Sequence, residues 1–153
     1  MSDELIEEMY AKKYNTTTTS RKDIGDIYVD GIPINIKSNN VEKNNCSPNM
    51  ISAKKALDYL SDGGNLLKFL FVSYKIGDGI EIIKEQMVDV ENISWDCLTI
   101  QCQGNGVIQM NKPLLVNKNQ TREEWLKSLK NQYIDYINRE RKKLNKLERL
   151  VSV

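Results

Sequence analysis

The dipeptide Asp30-Gly31 lies between two short runs of residues that favour β-strands. Asp-Gly is a preferred two-residue turn of tight β-hairpins, because both positions need a positive φ angle. A two-residue loop fixes the register of the two strands, so Asp26 is expected directly opposite Asn35. Side chains alternate along a strand, which puts Lys37 on the face of Asn35. The sequence therefore predicts a hairpin that gathers a carboxylate, an amide and an ammonium group.

These three groups suit the hydrolysis of a phosphodiester bond. The reaction needs a cation that neutralises developing charge and a group that positions and activates water. Asp26 can bind a metal ion, with the side-chain oxygen of Asn35 and the backbone carbonyl of Ile36 as further ligands, while Lys37 can hold the attacking water. Oxygen ligands favour Mg²⁺, with Mn²⁺ as a substitute. An exposed hairpin whose polar face only contacts water is the alternative interpretation.

The residues from 23 to about 60 carry a resemblance to a known family. Asp26, the triplet Asn35-Ile36-Lys37 with Ser38 after it, and Ser47-Pro48-Asn49 before a predicted helix resemble the motif of the PD-(D/E)XK nucleases. Within that superfamily they are most similar to the small type II restriction endonucleases. The resemblance implies a restriction-endonuclease-like α/β core and Mg²⁺-dependent cleavage of double-stranded DNA at a short specific sequence, within a restriction-modification system.

The triplet departs from the family pattern at its first position. Asn35 replaces the acid, and a neutral amide binds a hard cation more weakly than a carboxylate does. Either another acidic residue supplies the missing metal ligand, or the protein is a weakened or inactive nuclease. Family members often present a Glu from the first helix to the metal, which makes Glu7 and Glu8 the candidates. Ordinary acids on the solvated face of a helix are the alternative for each.

Length and composition suit one α/β domain over residues 1–153. No segment has the length of a transmembrane helix and no secretory leader is visible, so a cytoplasmic, microbial protein without membrane contact is expected. The chain has no histidine, which excludes His-metal nucleases and Ser-His or Cys-His triads. Its three cysteines have no spacing typical of a zinc cluster or a disulfide framework.

The pattern beyond the triplet predicts a small mixed β-sheet flanked by helices. A helix is expected over residues 48–60, with Ser47 as its cap and Pro48 as its first residue. Residues 66–74 form a nearly unbroken apolar run, typical of a strand that is covered on both faces. A turn at residues 77–79 leads into a further strand that starts at residue 80 and continues to about residue 90.

Residues 98–111 form two strand-like runs around the turn Gly104-Asn105-Gly106. A two-stranded ribbon fits the major groove of DNA, where Gln and Asn amides can bond to adenine through both of their polar atoms. A surface hairpin with neutral polar residues is the alternative. The candidate DNA-binding residues, in this hairpin and around the triplet, are Asn39, Asn40, Asn49, Gln101, Gln103, Asn105 and Gln109.

The chain ends in a predicted long helix that starts at a capping box, Thr121 with Glu124, and extends to about residue 150. Leu126, Leu129, Tyr133 and Ile137 are spaced as an inner stripe, while Ile137, Leu144 and Val151 recur every seven residues. Residues 117–153 carry ten Lys or Arg against five Asp or Glu. These patterns favour a homodimer on DNA, with packing of the helix on its own domain as the alternative.

Two other functions fit the same motif. A structure-selective repair nuclease or junction resolvase would use the same chemistry on branched DNA. A non-catalytic DNA-binding protein would keep the fold without the metal, and Asn35 is the residue that favours it.

Overall fold

A computed structural model describes residues 2–20, 22–43 and 48–152. The predicted cap Ser47 and one of the three cysteines, Cys46, lie outside these residues. The helices are α1 (Ser2–Lys13), α2 (Ala53–Leu60) and α3 (Arg122–Val151). The strands are β1 (Ile27–Val29), β2 (Ile32–Asn40), β3 (Asn49–Ser52), β4 (Lys68–Ile76), β5 (Ile80–Asp89), β6 (Leu98–Gln101) and β7 (Val107–Met110).

The Asp30-Gly31 turn forms as predicted. Both residues have positive φ angles, 53° for Asp30 and 77° for Gly31. Strands β1 and β2 pair antiparallel, with Ile27 opposite Ile34 at the open end of the hairpin. This pairing confirms the register that the two-residue loop predicts, and it places Asp26 at the end of the hairpin, next to the middle of β2.

The hairpin belongs to a four-stranded mixed sheet with the order β1-β2-β4-β5. β2 and β4 are parallel, whereas β4 and β5 are antiparallel. The apolar run therefore forms a central strand as predicted, although the strand starts at Lys68 and the preceding Leu66 is exposed. The predicted strand after the turn at 77–79 is β5, which reaches Asp89. The mixed sheet, its flanking helices and the long C-terminal helix confirm the predicted α/β class.

Strands β3, β7 and β6 form a second sheet, and β3 corrects one prediction. Residues 49–52 were expected in a helix that starts at Pro48, but they pair antiparallel with β7. Met50 and Ile51 are buried in the structure. The long-range contacts that the strand makes therefore outweigh the local sequence preference for a helix. The helix starts at Ala53 instead, and its cap is Ser52, whose hydroxyl accepts a hydrogen bond from the Lys55 N–H. The predicted hairpin at residues 98–111 is confirmed as β6 and β7.

The mixed sheet is covered on both faces. On one face α1 packs through Ile6, Tyr10 and Ala11 against apolar side chains of β2 and β4. On the other face α2, α3 and the second sheet enclose the larger core around Phe69 and Trp125. Helices thus lie on both sides of the sheet, as the sequence predicts. Strand β4 presents alternate side chains to the two cores, with Phe69 in the larger one and Leu70 in the smaller one.

Helix α3 has the predicted capping box, with both reciprocal hydrogen bonds between Thr121 and Glu124. Its inner stripe differs at one position, because Tyr136 is buried while Ile137 is 39% exposed. Residues 141–152 are all exposed, so the last turns of the helix extend beyond the body of the domain. No helix in the described part of the chain is long and apolar enough to cross a membrane.

Candidate active site

Asp26 is held at the edge of β2 by two hydrogen bonds. Its backbone N–H donates to the Ile34 carbonyl at 2.8 Å, which continues the hairpin ladder by one residue. Its carboxylate oxygen Oδ2 accepts a hydrogen bond from the Ile36 N–H at 2.6 Å. Among the described residues this edge of β2 pairs with no strand beyond the hairpin, so the Asp26 side chain satisfies a backbone donor there. The carboxylate is thereby fixed beside Lys37.

Asp26 and Lys37 line one cavity of about 320 Å³, together with two acids of α1, Asp3 and Glu7. Asp3 and Glu7 are four residues apart, so they lie on the same side of the helix. The remaining lining residues are Ile36 and Ser38 of β2, and Pro48 and Asn49 at the start of β3. The cavity therefore combines three carboxylates, one lysine and a strand edge.

Helix α1 is anchored so that Glu7 points toward this cavity. Ile6 is fully buried and Tyr10 is 3% exposed, which fixes the rotation of the helix on the sheet. The Tyr10 hydroxyl also donates a hydrogen bond to Glu85 of β5 at 2.5 Å. The Ser38 hydroxyl donates to Asp3 at 2.5 Å and connects the first turn of the helix to β2.

Glu7 and Asp26 form a hydrogen-bonded pair of carboxyl groups. Burial, the hydrogen bond to Asp26 and the negative charges of Asp26 and Asp3 raise the pKa of Glu7 to about 7, against a smaller opposite effect of Lys37. The negative charge of Asp26 thus makes ionisation of Glu7 less favourable than that of an exposed glutamate. A cation bound between the two carboxyl groups would offset the repulsion between their negative charges.

Lys37 is half-buried, and this burial lowers the pKa of its ammonium group, partly offset by the charges of Asp26, Glu7 and Asp3. Its position on β2 is in register with Phe71 of β4, at the border between the larger core and solvent. The ammonium group is consequently a partly dehydrated charge close enough to the carboxylates to interact with them.

The donor set of the cavity fits a hard divalent cation. Carboxylate and backbone carbonyl oxygens are the ligands that Mg²⁺ and Mn²⁺ prefer. Within the described residues no group of three His, Cys, Asp or Glu side chains is placed to enclose a metal by itself. Magnesium in phosphate-processing sites is commonly held by one or two carboxylates, with waters and substrate oxygens as the other ligands. The pair Glu7 and Asp26 matches that kind of open site.

Two of the predicted ligands lie outside this cavity. The Asn35 amide donates a hydrogen bond to the Ile24 carbonyl at 3.2 Å. Its Oδ1 atom is buried and has no hydrogen-bond donor among the described residues. Asn35 is in register with Phe69 of β4, so its side chain lies on the core side of Lys37. Glu8 is exposed on α1 and does not line the cavity.

Three of the predicted DNA-binding residues are linked by hydrogen bonds. Asn49 donates to Gln103 at 2.9 Å and accepts a hydrogen bond from Gln109 at 3.0 Å. Asn49 also lines the acidic cavity. The sequence suggested these amides individually, and the structure brings them together on a surface beside the carboxylates.

The other predicted DNA-binding residues are placed separately. Asn39 is exposed on β2, two residues after Lys37. The Asn40 side chain accepts a hydrogen bond from the Glu42 N–H and so stabilises the turn after β2. Gln101 and Asn105 are exposed in the second hairpin, where the Asn105 carbonyl accepts a hydrogen bond from Tyr133 of α3.

Sequence reasoning missed Asp3 as a cavity residue. Its spacing of four residues from Glu7 was the available signal, because that spacing places two acids on one side of a helix. The signal needs the rotation of α1 on the sheet to be known, and Ile6 and Tyr10 fix that rotation through tertiary contacts.

Comparison with known proteins yields no family model and no curated protein that matches this sequence. Among solved structures the chain is similar to NlaIV restriction endonuclease, with a TM-score of 0.44 and 15% sequence identity. The similarity covers 77% of this chain and 55% of that protein, little more than half of its length. The case for a function therefore comes from the residues of this chain.

Proposed function

We propose that this protein is a metal-dependent deoxyribonuclease that hydrolyses phosphodiester bonds of double-stranded DNA at a short specific sequence, as type II restriction endonucleases do. The observation that carries the proposal is the cavity in which Asp26, Glu7 and Lys37 meet at the edge of β2. Two acids whose negative charges repel each other, next to a half-buried lysine, form a site for a cation and a phosphate.

Asp26, Glu7 and the Ile36 carbonyl would hold Mg²⁺, and Mn²⁺ would substitute. When bound, the metal ion supplies positive charge that offsets the charge developing on the phosphate. Glu7 takes the place that the sequence pattern gives to Asn35, since Asn35 faces Ile24 and does not line the cavity. Asn35 is then a positioning residue that holds the segment before Asp26 against β2.

Lys37 orients the attacking water in this proposal. The residue is half-buried, so its charge is screened less than that of a fully exposed lysine. A nearby positive charge lowers the pKa of the water and stabilises the hydroxide that attacks phosphorus. The same charge stabilises the additional negative charge of the transition state.

The linked amides Asn49, Gln103 and Gln109 are proposed to contact bases. Amide side chains can bond to the N6 and N7 atoms of adenine in the major groove. Asn49 lines the acidic cavity and is hydrogen-bonded to the other two, so a base that they contact would lie close to the phosphate that is cut. Asn39, Asn40, Gln101 and Asn105 are proposed as further contacts at the margin of this surface.

A second copy of the chain is proposed as the partner of α3. The exposed end of this helix carries apolar side chains, including Leu144 at 63% exposure and Leu147 at 56%. Burial of such a stripe between two helices is favourable, and the seven-residue spacing of Ile137, Leu144 and Val151 suits helix pairing. Two active sites in a homodimer would allow both strands of a palindromic sequence to be cut.

A non-catalytic DNA-binding protein is the second candidate, and the replacement of the triplet acid by Asn35 favours it. Incubation with long duplex DNA at low salt, in Mg²⁺ or in EDTA, separates the two. The nuclease gives discrete fragments in Mg²⁺ and none in EDTA, and sequencing of the ends identifies the site. Retardation of DNA without cutting in either Mg²⁺ or Mn²⁺ would instead support the non-catalytic protein.

A further inference from the structure

A second cavity of about 490 Å³ adjoins the acidic one and shares Lys37, Ser38 and Pro48 with it. One wall is the mixed sheet, through β2, β4 and β5. The other wall is the segment of residues 110–114 that follows β7. We call this cavity the lysine groove, because Lys84 and Lys112 line it in addition to Lys37.

The strand register explains how the sheet forms this wall. Lys37, Phe71 and Gln86 are aligned across β2, β4 and β5. Since side chains repeat every two residues along a strand, the next row on the same face contains Asn39, Ser73 and Lys84. The preceding row, which includes Phe69 and Val88, is buried in the larger core. The sheet face therefore changes from apolar core to polar groove, with Lys84 in its outermost row.

The opposite wall is fixed by backbone hydrogen bonds. The Met110 N–H donates to the Pro48 carbonyl and the Asn111 N–H donates to the Cys97 carbonyl, both at 3.0 Å. Lys112 follows this anchored pair and is exposed. Its ammonium group thus extends from a well-supported segment at the rim of the groove.

Charge distinguishes the two adjoining cavities. The acidic cavity has three carboxylates, whereas the described lining of the lysine groove has three lysines and no Asp or Glu. Glu85, between Lys84 and Gln86, points to the opposite face of the sheet, where it accepts from Tyr10 and Lys13. Within the described residues, Lys84 and Lys112 form no salt bridge. A groove with unpaired lysines and apolar side chains such as Phe71 and Leu114 suits a ligand with phosphates and flat or apolar groups.

We infer that the lysine groove binds the DNA strand adjacent to the phosphate that is cut, with Lys84 and Lys112 contacting phosphates on that strand. The inference deepens the proposed nuclease function and depends on it. Lys37 lies at the junction of the two cavities, so a strand in the groove continues directly into the acidic cavity. Lys84 and Lys112 are positioning residues, because they lie away from the reacting phosphate.

Salt dependence of DNA binding tests this assignment. Binding of a labelled duplex is measured in EDTA at several salt concentrations, for the parent, Lys84→Gln, Lys112→Gln and the double variant. Each lost phosphate contact lowers the slope of log K against log salt by about 1, and the double variant by about 2. Lys54→Gln is the matched control, because Lys54 pairs with Asp58 on α2 and lies outside the groove. Its slope is expected to equal that of the parent.

Cleavage measured on the same variants separates this inference from the proposed function. The inference expects the lysine variants to need more DNA for half-maximal rate, with single-turnover rates at saturating DNA near the parental value. Parental slopes in both lysine variants, with Asp26→Asn inactive, would overturn the groove assignment and leave the nuclease intact. Lower slopes with a fully active Asp26→Asn would support the groove and overturn the proposed catalytic site. Absence of both binding and cleavage by the parent would overturn both.

Discussion

The Ile36 N–H donates a hydrogen bond to the Asp26 carboxylate at 2.6 Å. Asp26 is thereby held against the residue that directly precedes Lys37. The same carboxylate lines the acidic cavity together with Glu7. The same contact means that replacement of Asp26 by alanine would leave a backbone donor without its partner. Asparagine is the better substitution, because its amide oxygen can still accept this hydrogen bond.

Glu7 and Glu8 form a matched pair for testing which acid serves the metal. Glu7→Gln is expected to lower the cleavage rate by about 10²-fold and to raise the Mg²⁺ concentration needed for half-maximal activity, because a carboxylate ligand is lost. Glu8→Gln removes the same charge from an exposed position outside the cavity and should retain the parental rate. Equal losses in the two variants, measured by Mg²⁺ titration of cleavage, would count against the ligand set proposed here.

Asn35→Asp is expected to destabilise the protein and not to restore a stronger metal site. The Ile24 carbonyl would lose its donor and a carboxylate would be placed among buried atoms, at a cost of about 1–3 kcal/mol. Urea unfolding with and without Mg²⁺ measures this change, with the exposed residue Asn39→Asp as the control on the same strand. If Mg²⁺ stabilised Asn35→Asp more than the parent, Asn35 would be a metal ligand after all.

The hydrogen bond from Tyr10 to Glu85 anchors α1 and predicts a pH dependence of stability. It lowers the pKa of Glu85 from 4.5, with a further contribution from Lys13. A carboxyl group whose pKa is lower in the folded state than in the unfolded state stabilises the fold at pH values above its unfolded-state pKa. This stabilisation is lost as the pH falls through the folded-state pKa. Tyr10→Phe should therefore reduce the free energy of unfolding by about 1 kcal/mol near neutral pH, and by progressively less below pH 4.5.

Urea unfolding at a series of pH values checks that difference. Tyr14→Phe is the control, since the Tyr14 ring stacks on Tyr10 while its hydroxyl makes no hydrogen bond within the described residues. A loss of stability in Tyr10→Phe that stayed constant down to strongly acidic pH would show that Glu85 does not contribute through its charge.

The exposed end of α3 predicts self-association that a single charge can disrupt. Leu147→Glu places a charge within the apolar stripe and should convert a dimer to a monomer in sedimentation equilibrium. Asn145→Glu adds the same charge to another side of the helix and should remain dimeric. Circular dichroism of both variants verifies that the helix is retained. A monomeric parent, or a dimer that Leu147→Glu leaves unchanged, would exclude pairing through this stripe.

Local signals predicted the hairpin and the long helix well. The Asp30-Gly31 turn and the capping box at Thr121 depend on neighbouring residues alone, so the register of β1 on β2 and the start of α3 followed from the sequence. The stretch at residues 49–52 was assigned wrongly, because its strand conformation depends on pairing with β7, more than fifty residues away.

The candidate site was predictable only in part for the same reason. Asp26 and Lys37 belong to one hairpin, and their proximity follows from its register. The choice between Glu7 and Glu8 depends on how α1 is rotated by the burial of Ile6 and Tyr10. Lys84 joins the groove through the pairing of β4 with β5, which no local pattern around Lys84 indicates.

The cleavage rate of Asp26→Asn tests the central claim most directly. Single-turnover cleavage of duplex DNA in Mg²⁺ is measured for the parent, Asp26→Asn and Lys37→Ala, with binding in EDTA recorded for each. Loss of the carboxylate proposed to bind the metal, or of the lysine proposed to orient water, should lower the rate by about 10²–10³-fold or more, while DNA binding and the fold are retained. Cleavage by Asp26→Asn at the parental rate would contradict the assignment of this cavity as the active site.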